Sequence, residues 1–148
     1  MDVKVKKLHP DAKIPEKAHR DDFCYDVWAV SEEEIAPNVW KYGIGLAFEI
    51  IPGDLVPYIN LALDFRARSS IWKTGMVLAN SIGTVDYGYR NEVSLIFYHV
   101  FPNMPRYKVG DKIGQVKINM AENIDFIEVN ELSDSERGLG GFGSTGLK

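Results

Sequence analysis

The chemistry-bearing groups of this 148-residue chain are densest at its C-terminal end. Arg137-Gly-Leu-Gly-Gly-Phe-Gly-Ser-Thr-Gly146 sets five glycines around one Phe, one Arg and two hydroxyls. Glycine this dense cannot hold a strand or helix by itself, because ordering it costs too much backbone entropy. Backbone amides freed from side chains, next to arginine, serine and threonine, suit a phosphate-gripping loop. Phe142, in the middle, offers a face on which a base can stack. The segment reads as an arm that orders over a nucleotide; the plainer reading of such a composition is a floppy tail.

Three further segments carry groups that could serve the same ligand. Asn80-Ser-Ile-Gly83-Thr-Val-Asp86-Tyr-Gly-Tyr89-Arg-Asn-Glu92 mixes β-branched residues with glycines and predicts a hairpin with a wide or bulged turn. Within it Asn80 supplies both a donor and an acceptor, which suits the edge of a uracil-type base. Asp86 is a carboxylate able to poise a water. Arg68-Ser69-Ser70 precedes a short helical pattern at Ile71-Trp72-Lys73, where a serine cap beside an arginine makes an anion site. Gln115 follows Lys112-Ile-Gly in an alternating run. Taken singly, each has a plain structural reading: a turn aspartate, an N-cap with a surface arginine, an outward polar residue. Their conjunction favours a nucleotide site.

The elements that must position these groups are strands. Val3 and Val5 alternate with lysines; Leu46, Phe48 and Ile50 repeat the period, as do Ile59, Leu61, Leu63 and Phe65. Val93 to Phe101, Ile113 to Ile118 and Ile124 to Val129 are further β-rich runs, separated by Pro- and Gly-containing turns. Many short strands at this spacing predict an all-β sandwich or barrel. The acidic run Ser31-Glu32-Glu33-Glu34 reads as a turn or a solvated face. Trp28, Trp40 and Trp72 are expected in the core or in an interface.

Composition narrows the class. Hydrophobic residues make up 45% and the formal net charge is −4, which fits a globular domain and not a general nucleic-acid binder. One cysteine, Cys24, and three scattered histidines exclude a disulfide framework and a Cys/His zinc cluster. No membrane-length apolar run or signal-peptide pattern occurs, so the expected setting is reducing and cytoplasmic.

In this order the segments resemble the five motifs of the trimeric dUTPase family. They are Phe23-Cys-Tyr-Asp26-Val-Trp-Ala29, Arg68-Ser69-Ser70, Gly83 to Glu92, Gly110-Asp-Lys-Ile-Gly-Gln115 and Arg137 to Gly146. The last is the most specific, and the match spans Phe23 to Gly146. The resemblance implies a jelly-roll-like β-barrel or sandwich over 1–136, with one short helix, and a flexible glycine-rich arm at 137–148. It implies a homotrimer in which each arm closes a neighbour's active site. The implied reaction is hydrolysis of dUTP to dUMP and pyrophosphate with Mg2+, which limits uracil in DNA and supplies dUMP for thymidylate synthesis.

Carried over by position, Asp86 matches the general base and Tyr89 the aromatic beneath deoxyribose. Asn80 and Gly83 match the uracil readers, and Arg68, Ser69, Ser70 and Gln115 the phosphate contacts. Phe142 matches the aromatic over uracil, with Arg137, Gly143, Ser144 and Thr145 among the lid's substrate contacts. Asp26 matches the acid that helps hold magnesium through its water shell.

The chain departs from the family pattern at Cys24, at Asn91 and at Gly114, where a small residue, glycine and alanine are usual. It also lacks a proline before Arg68. These departures predict altered loop geometry with the chemical groups kept. Two rivals remain at this stage: a dCTP deaminase on the same fold, for which Glu92 is the nearby candidate to activate water, and a nucleotide-binding regulator that uses the arm as its moving part.

Overall fold

A computed structural model describes residues 1–53 and 59–141. Ten strands form: β1 Asp2–Lys7, β2 Tyr25–Trp28, β3 Ser31–Ala36, β4 Val39–Gly43, β5 Leu46–Ile51, β6 Ile59–Arg66, β7 Met76–Leu78, β8 Ile82–Asp86, β9 Ser94–His99 and β10 Lys112–Glu122. They pair antiparallel in two four-stranded sheets, β2-β10-β6-β8 and β3-β4-β9-β7, with β1-β5 as a third, two-stranded piece. The architecture is the jelly-roll-like all-β fold expected.

The core follows from the period of two. On β6, Leu61, Leu63 and Phe65 turn inward, while Asn60, Ala62 and Arg66 lie on the other face with less burial. They meet Val27, Ile113 and Val116 of their own sheet and Tyr42, Leu95, Phe97, Met76 and Leu78 of the facing one in a single cluster. Tyr42, Phe97 and Tyr107 pack edge to face, with ring centroids 5.4–6.3 Å apart, and the buried Tyr42 hydroxyl donates to the Tyr107 carbonyl at 2.8 Å. Trp28 is buried outside the core cluster, beneath Lys13 and Lys112, Trp40 is half-buried under Arg106, and Trp72 stands 71% exposed.

Several local expectations are corrected. The short helix is one 3₁₀ turn, Ser69–Lys73; its N-cap residue is Arg68 and no side chain caps it. The turn closes by backbone alone, Ile71 N–H donating to the Arg68 carbonyl at 3.0 Å. The acidic run belongs to β3, with Glu33 and Glu34 in solvent. Residues Ile124 to Val129 form no strand, and they have no ladder partner among the described residues. The segment Asn80 to Glu92 forms no hairpin of its own: its one strand, β8, pairs with β6, whereas the strand before it, β7, belongs to the other sheet and pairs with β9. The crossing is made at Asn80-Ser81, where Ser81 takes φ 60°, a left-handed conformation uncommon for serine.

β10 contains the one irregularity that shapes the site. Its pairing with β2 shifts between Lys112 and Gly114. In a regular strand, Lys112 and Gln115, three apart, would face opposite ways. The bulge reverses this, so Ile113 is fully buried while Lys112 and Gln115 both reach the same carboxylate on β2.

Gly114 lets the bulge pack: a Cβ there would lie 2.6 Å from Leu95 Cδ2 and 3.1 Å from the Arg66 carbonyl oxygen. Gly114→Ala is expected to destabilise the fold by about 1–3 kcal/mol in urea unfolding, and adding Leu95→Val should restore most of the loss. Equal stability of Gly114→Ala and wild type would mean that Leu95 yields without cost.

Candidate functional site

The residues singled out in the sequence gather in two places. The first is centred on Asp26, which β2 presents on the outer face of its sheet. Its carboxylate is only 4% exposed in spite of that position. Oδ2 accepts Lys112 Nζ at 2.8 Å, and Oδ1 accepts both Arg68 Nε and Gln115 Nε2 at 3.3 Å. Arg68 also donates through Nη1 to Ser70 Oγ at 3.4 Å. Asp26, Arg68, Ser70 and Gln115, from three distant stretches, are therefore one hydrogen-bonded group, with Ser69 exposed beside it. Burial by itself would raise the Asp26 pKa. Hydrogen bonds from Lys112 and Gln115, with the positive charges of Arg68 and Lys112, outweigh that and hold the carboxyl below its usual range.

The second group lies where the chain passes between sheets. Because β8 and β9 are not ladder partners, a cleft of about 370 Å³ opens between them, lined by Asn80, Gly83, Val85, Val93, Ile96 and Tyr98 among others. Gly83 fits under the Asn80 amide: a Cβ there would come 3.3 Å from Asn80 Nδ2. A neighbouring hollow of about 210 Å³ is lined by Thr84, Asp86, Tyr89 and Ser94. The loop that carries Asp86 and Tyr89 is tied by its own groups. Tyr89 N–H donates to the Asp86 carbonyl at 3.0 Å, and Arg90 Nη1 donates to the carbonyls of Tyr87 and Tyr89 at 2.6 and 3.0 Å. The Tyr89 hydroxyl donates to the Glu92 carbonyl at 3.0 Å.

Within one chain the two groups are apart. Gln115 pairs with Arg66 and Asp86 with Ala62, four residues further along β6, so about 13 Å of strand separates the two rows.

Comparison with known proteins decides the family. A family model described as dUTPase matches residues 11–146. The chain belongs to the dUTPase family. It is 38% identical over 147 residues to a deoxyuridine 5'-triphosphate nucleotidohydrolase of Clostridioides difficile, covering 98% of each chain. In three dimensions it resembles a Staphylococcus bacteriophage 80alpha dUTPase mutant bound to dUpNHpp, with a TM-score of 0.79, 22% identity and 99% of both chains covered. A mutant dUTPase from phage phi11 of S. aureus, in which a structural Mg(II) ion is coordinated, matches at TM-score 0.70 and 18% identity over 90% of this chain and 100% of that one.

Other sequence candidates of this dUTPase-family chain fall differently. Arg137 is exposed and turned back on its own segment, donating through Nε to the Gly140 carbonyl at 2.8 Å. Phe142, Gly143, Ser144 and Thr145 lie outside the described residues. Glu92, the deaminase candidate, accepts the Gly45 N–H on Oε1 at 2.8 Å, in room left by the missing side chain of Gly43. It latches the loop to the β4–β5 corner and lines neither cleft.

Among the described residues no three His, Cys, Asp or Glu side chains converge as a metal cage. Both Asp26 oxygens are taken by protein donors, which leaves no open position for direct coordination, so a magnesium here would have to take its ligands from phosphates and water. No helix among the described residues is long and apolar enough to cross a membrane.

Sequence reasoning passed over Lys112. Strand alternation hides it, because only the bulge places it beside Gln115. The Asp26–Lys112 pair yields one clear expectation. A carboxyl held below its unfolded pKa contributes stability that is present above the unfolded value, near 4, and lost as pH falls through the folded one. Asp26→Asn should lower stability at pH 7 by roughly 2–3 kcal/mol, and by less near pH 3, below the unfolded pKa. Urea unfolding at both pH values checks this; an equal gap at both would assign the loss to packing.

Proposed function

We propose that this chain hydrolyses dUTP to dUMP and pyrophosphate, by attack of water on the α-phosphorus. The observation that carries the reading is the adjoining pair of clefts in a dUTPase-family chain, which sets Asn80 and Gly83 beside Asp86 and Tyr89. In this reading the uracil edge enters the deeper cleft, where the Asn80 amide offers a donor and an acceptor. Gly83 keeps the wall thin enough for the base to approach. Tyr89, fixed by its bond to Glu92, packs beneath the deoxyribose and leaves no room for a 2'-hydroxyl. Asp86 takes the proton of the attacking water. As that oxygen bonds to the α-phosphorus, the bridging bond to the β-phosphate breaks and pyrophosphate leaves.

Arg68, Ser69, Ser70 and Gln115 receive the phosphates. Arginine's fork and neutral donors neutralise charge that grows on the phosphate oxygens in the transition state. Asp26 is the acid that would help hold a magnesium through its water shell; that ion would enter with the phosphates and would supply further neutralisation when bound.

The separation of the two groups along β6 supports a homotrimer, in which the base-reading cleft of one subunit meets the phosphate group of another. Residues 137–148 then act as an arm over a neighbour's site: Phe142 stacks on uracil, and Arg137, Gly143, Ser144 and Thr145 grip the phosphates. The unpaired Cys24 suits a reducing, cytoplasmic setting.

The test is pyrophosphate release from dUTP, dCTP, dTTP and UTP in parallel, with magnesium and with excess chelator. Release from dUTP alone, abolished by chelator, is expected; no release from dUTP sinks the proposal. Asp86→Asn should bind dUTP and turn it over about 10²-fold or more slowly, and near wild-type turnover would remove Asp86 as the base. A chain ending at Glu136 should keep its oligomeric state in analytical ultracentrifugation and lose most of its turnover. Full turnover by that shortened chain would leave the glycine-rich segment without a role in the site.

A further inference from the structure

We propose that Lys112 is a positioning residue for the phosphate half of the site, holding the Asp26 carboxylate so that Arg68 and Gln115 stay presented to the triphosphate. The inference rests on the dUTPase reading above and deepens it.

The geometry around the ammonium is specific. Lys112 stands opposite Trp28 in the β2–β10 register, and its Nζ lies 5.4 Å from the Trp28 ring centroid. Trp28 is itself buried, and Lys13 covers it with its Nζ 5.3 Å from the ring. Held there, Lys112 makes the shortest contact to Asp26, at 2.8 Å, and takes the oxygen that Arg68 and Gln115 do not use.

This division of the two oxygens has a consequence for Arg68. A guanidinium facing a lone carboxylate prefers to bind it with two parallel N–H groups. Here the hydrogen bond from Arg68 to Asp26 runs through Nε, and Nη1 donates to Ser70 instead of pairing with the carboxylate. With Oδ2 neutralised by Lys112, the fork of Arg68 remains available for phosphate oxygens. Without Lys112, Asp26 would be a buried carboxylate with Arg68 as its one cation among these partners, and the fork would close on it. Gln115, which shares Oδ1 with Arg68, would be displaced by the same movement.

The predicted signature is selective. Lys112 touches no part of the Asn80–Gly83 cleft, so a ligand without phosphates should not sense it. Lys112→Met and Lys112→Arg would be compared with wild type by calorimetric binding of the non-hydrolysable α,β-imido analogue of dUTP and of deoxyuridine. Lys112→Met should weaken the imido triphosphate about 10-fold or more. Deoxyuridine binding should stay within about twofold of wild type, and Lys112→Arg should recover most of the triphosphate affinity. Wild-type triphosphate affinity in Lys112→Met, or an equal loss for deoxyuridine, would overturn the proposal.

Because Lys112→Met leaves a buried charge that can impair folding, the same change is also made in Asp26→Asn. There it should cost little further triphosphate affinity, since no carboxylate remains to be held. An undiminished loss in that background would mean that Lys112 contacts phosphate directly, which also overturns the proposal. The dUTPase reading fails separately, if wild-type protein releases no pyrophosphate from dUTP.

Discussion

A carboxylate taken out of water must be paired, and in this chain that requirement joins segments far apart in sequence. Asp26 lies on the outer face of its sheet, yet almost no solvent reaches it. An unpaired charge so placed would cost several kcal/mol or protonate. Three donors prevent this, one from the loop after β6 and two from β10. The backbone contributes too, the Asp26 N–H donating to the Glu16 carbonyl at 2.8 Å and tying the N-terminal segment to β2. Since each donor is also a candidate ligand contact or its neighbour, the interaction that completes the fold at this point aligns half of the site.

Much of this was legible in the amino-acid pattern, for identifiable reasons. The run Leu61, Leu63, Phe65 declares an inward face because alternation leaves a strand with one buried side no other solution. Arg68-Ser69-Ser70 and Gln115 were recognisable as ligand groups because their types suit phosphate. Longer-range facts were hidden. Ile124 to Val129 has the alternating apolar character of a strand, but strand formation needs a partner edge, which composition does not report. The Asn80–Glu92 segment looks like a hairpin because its residues turn easily; that β8 leaves for the other sheet depends on the left-handed Ser81 and on what β6 accepts as a neighbour. Lys112 was hidden most thoroughly, since its facing direction is set by a bulge that no local pattern announces.

Two departures from the family pattern, Asn91 and Gly114, also have physical accounts. Asn91 is not among the residues with left-handed backbone, so glycine's freedom is unnecessary there. Its side-chain oxygen instead accepts the Glu92 N–H at 2.8 Å, adding a tie to a loop already closed by Tyr89 and Arg90. Glu92 completes the same loop from outside through Gly45. The effect is a rigid mount for Asp86 and Tyr89 built from main-chain carbonyls and short side chains, with little hydrophobic support.

The close fit of Gly114 under Leu95 makes the history of these two positions directional. A lineage that acquires alanine at 114 while leucine still fills 95 passes through an overcrowded core next to the phosphate group. A lineage that trims 95 first passes through a small void, which alanine then fills. The second order avoids the 2.6 Å contact with Leu95 Cδ2, while in either order a Cβ at 114 lies 3.1 Å from the Arg66 carbonyl oxygen. The two sites share no hydrogen bond, and what couples them is the space that one side chain leaves for the other.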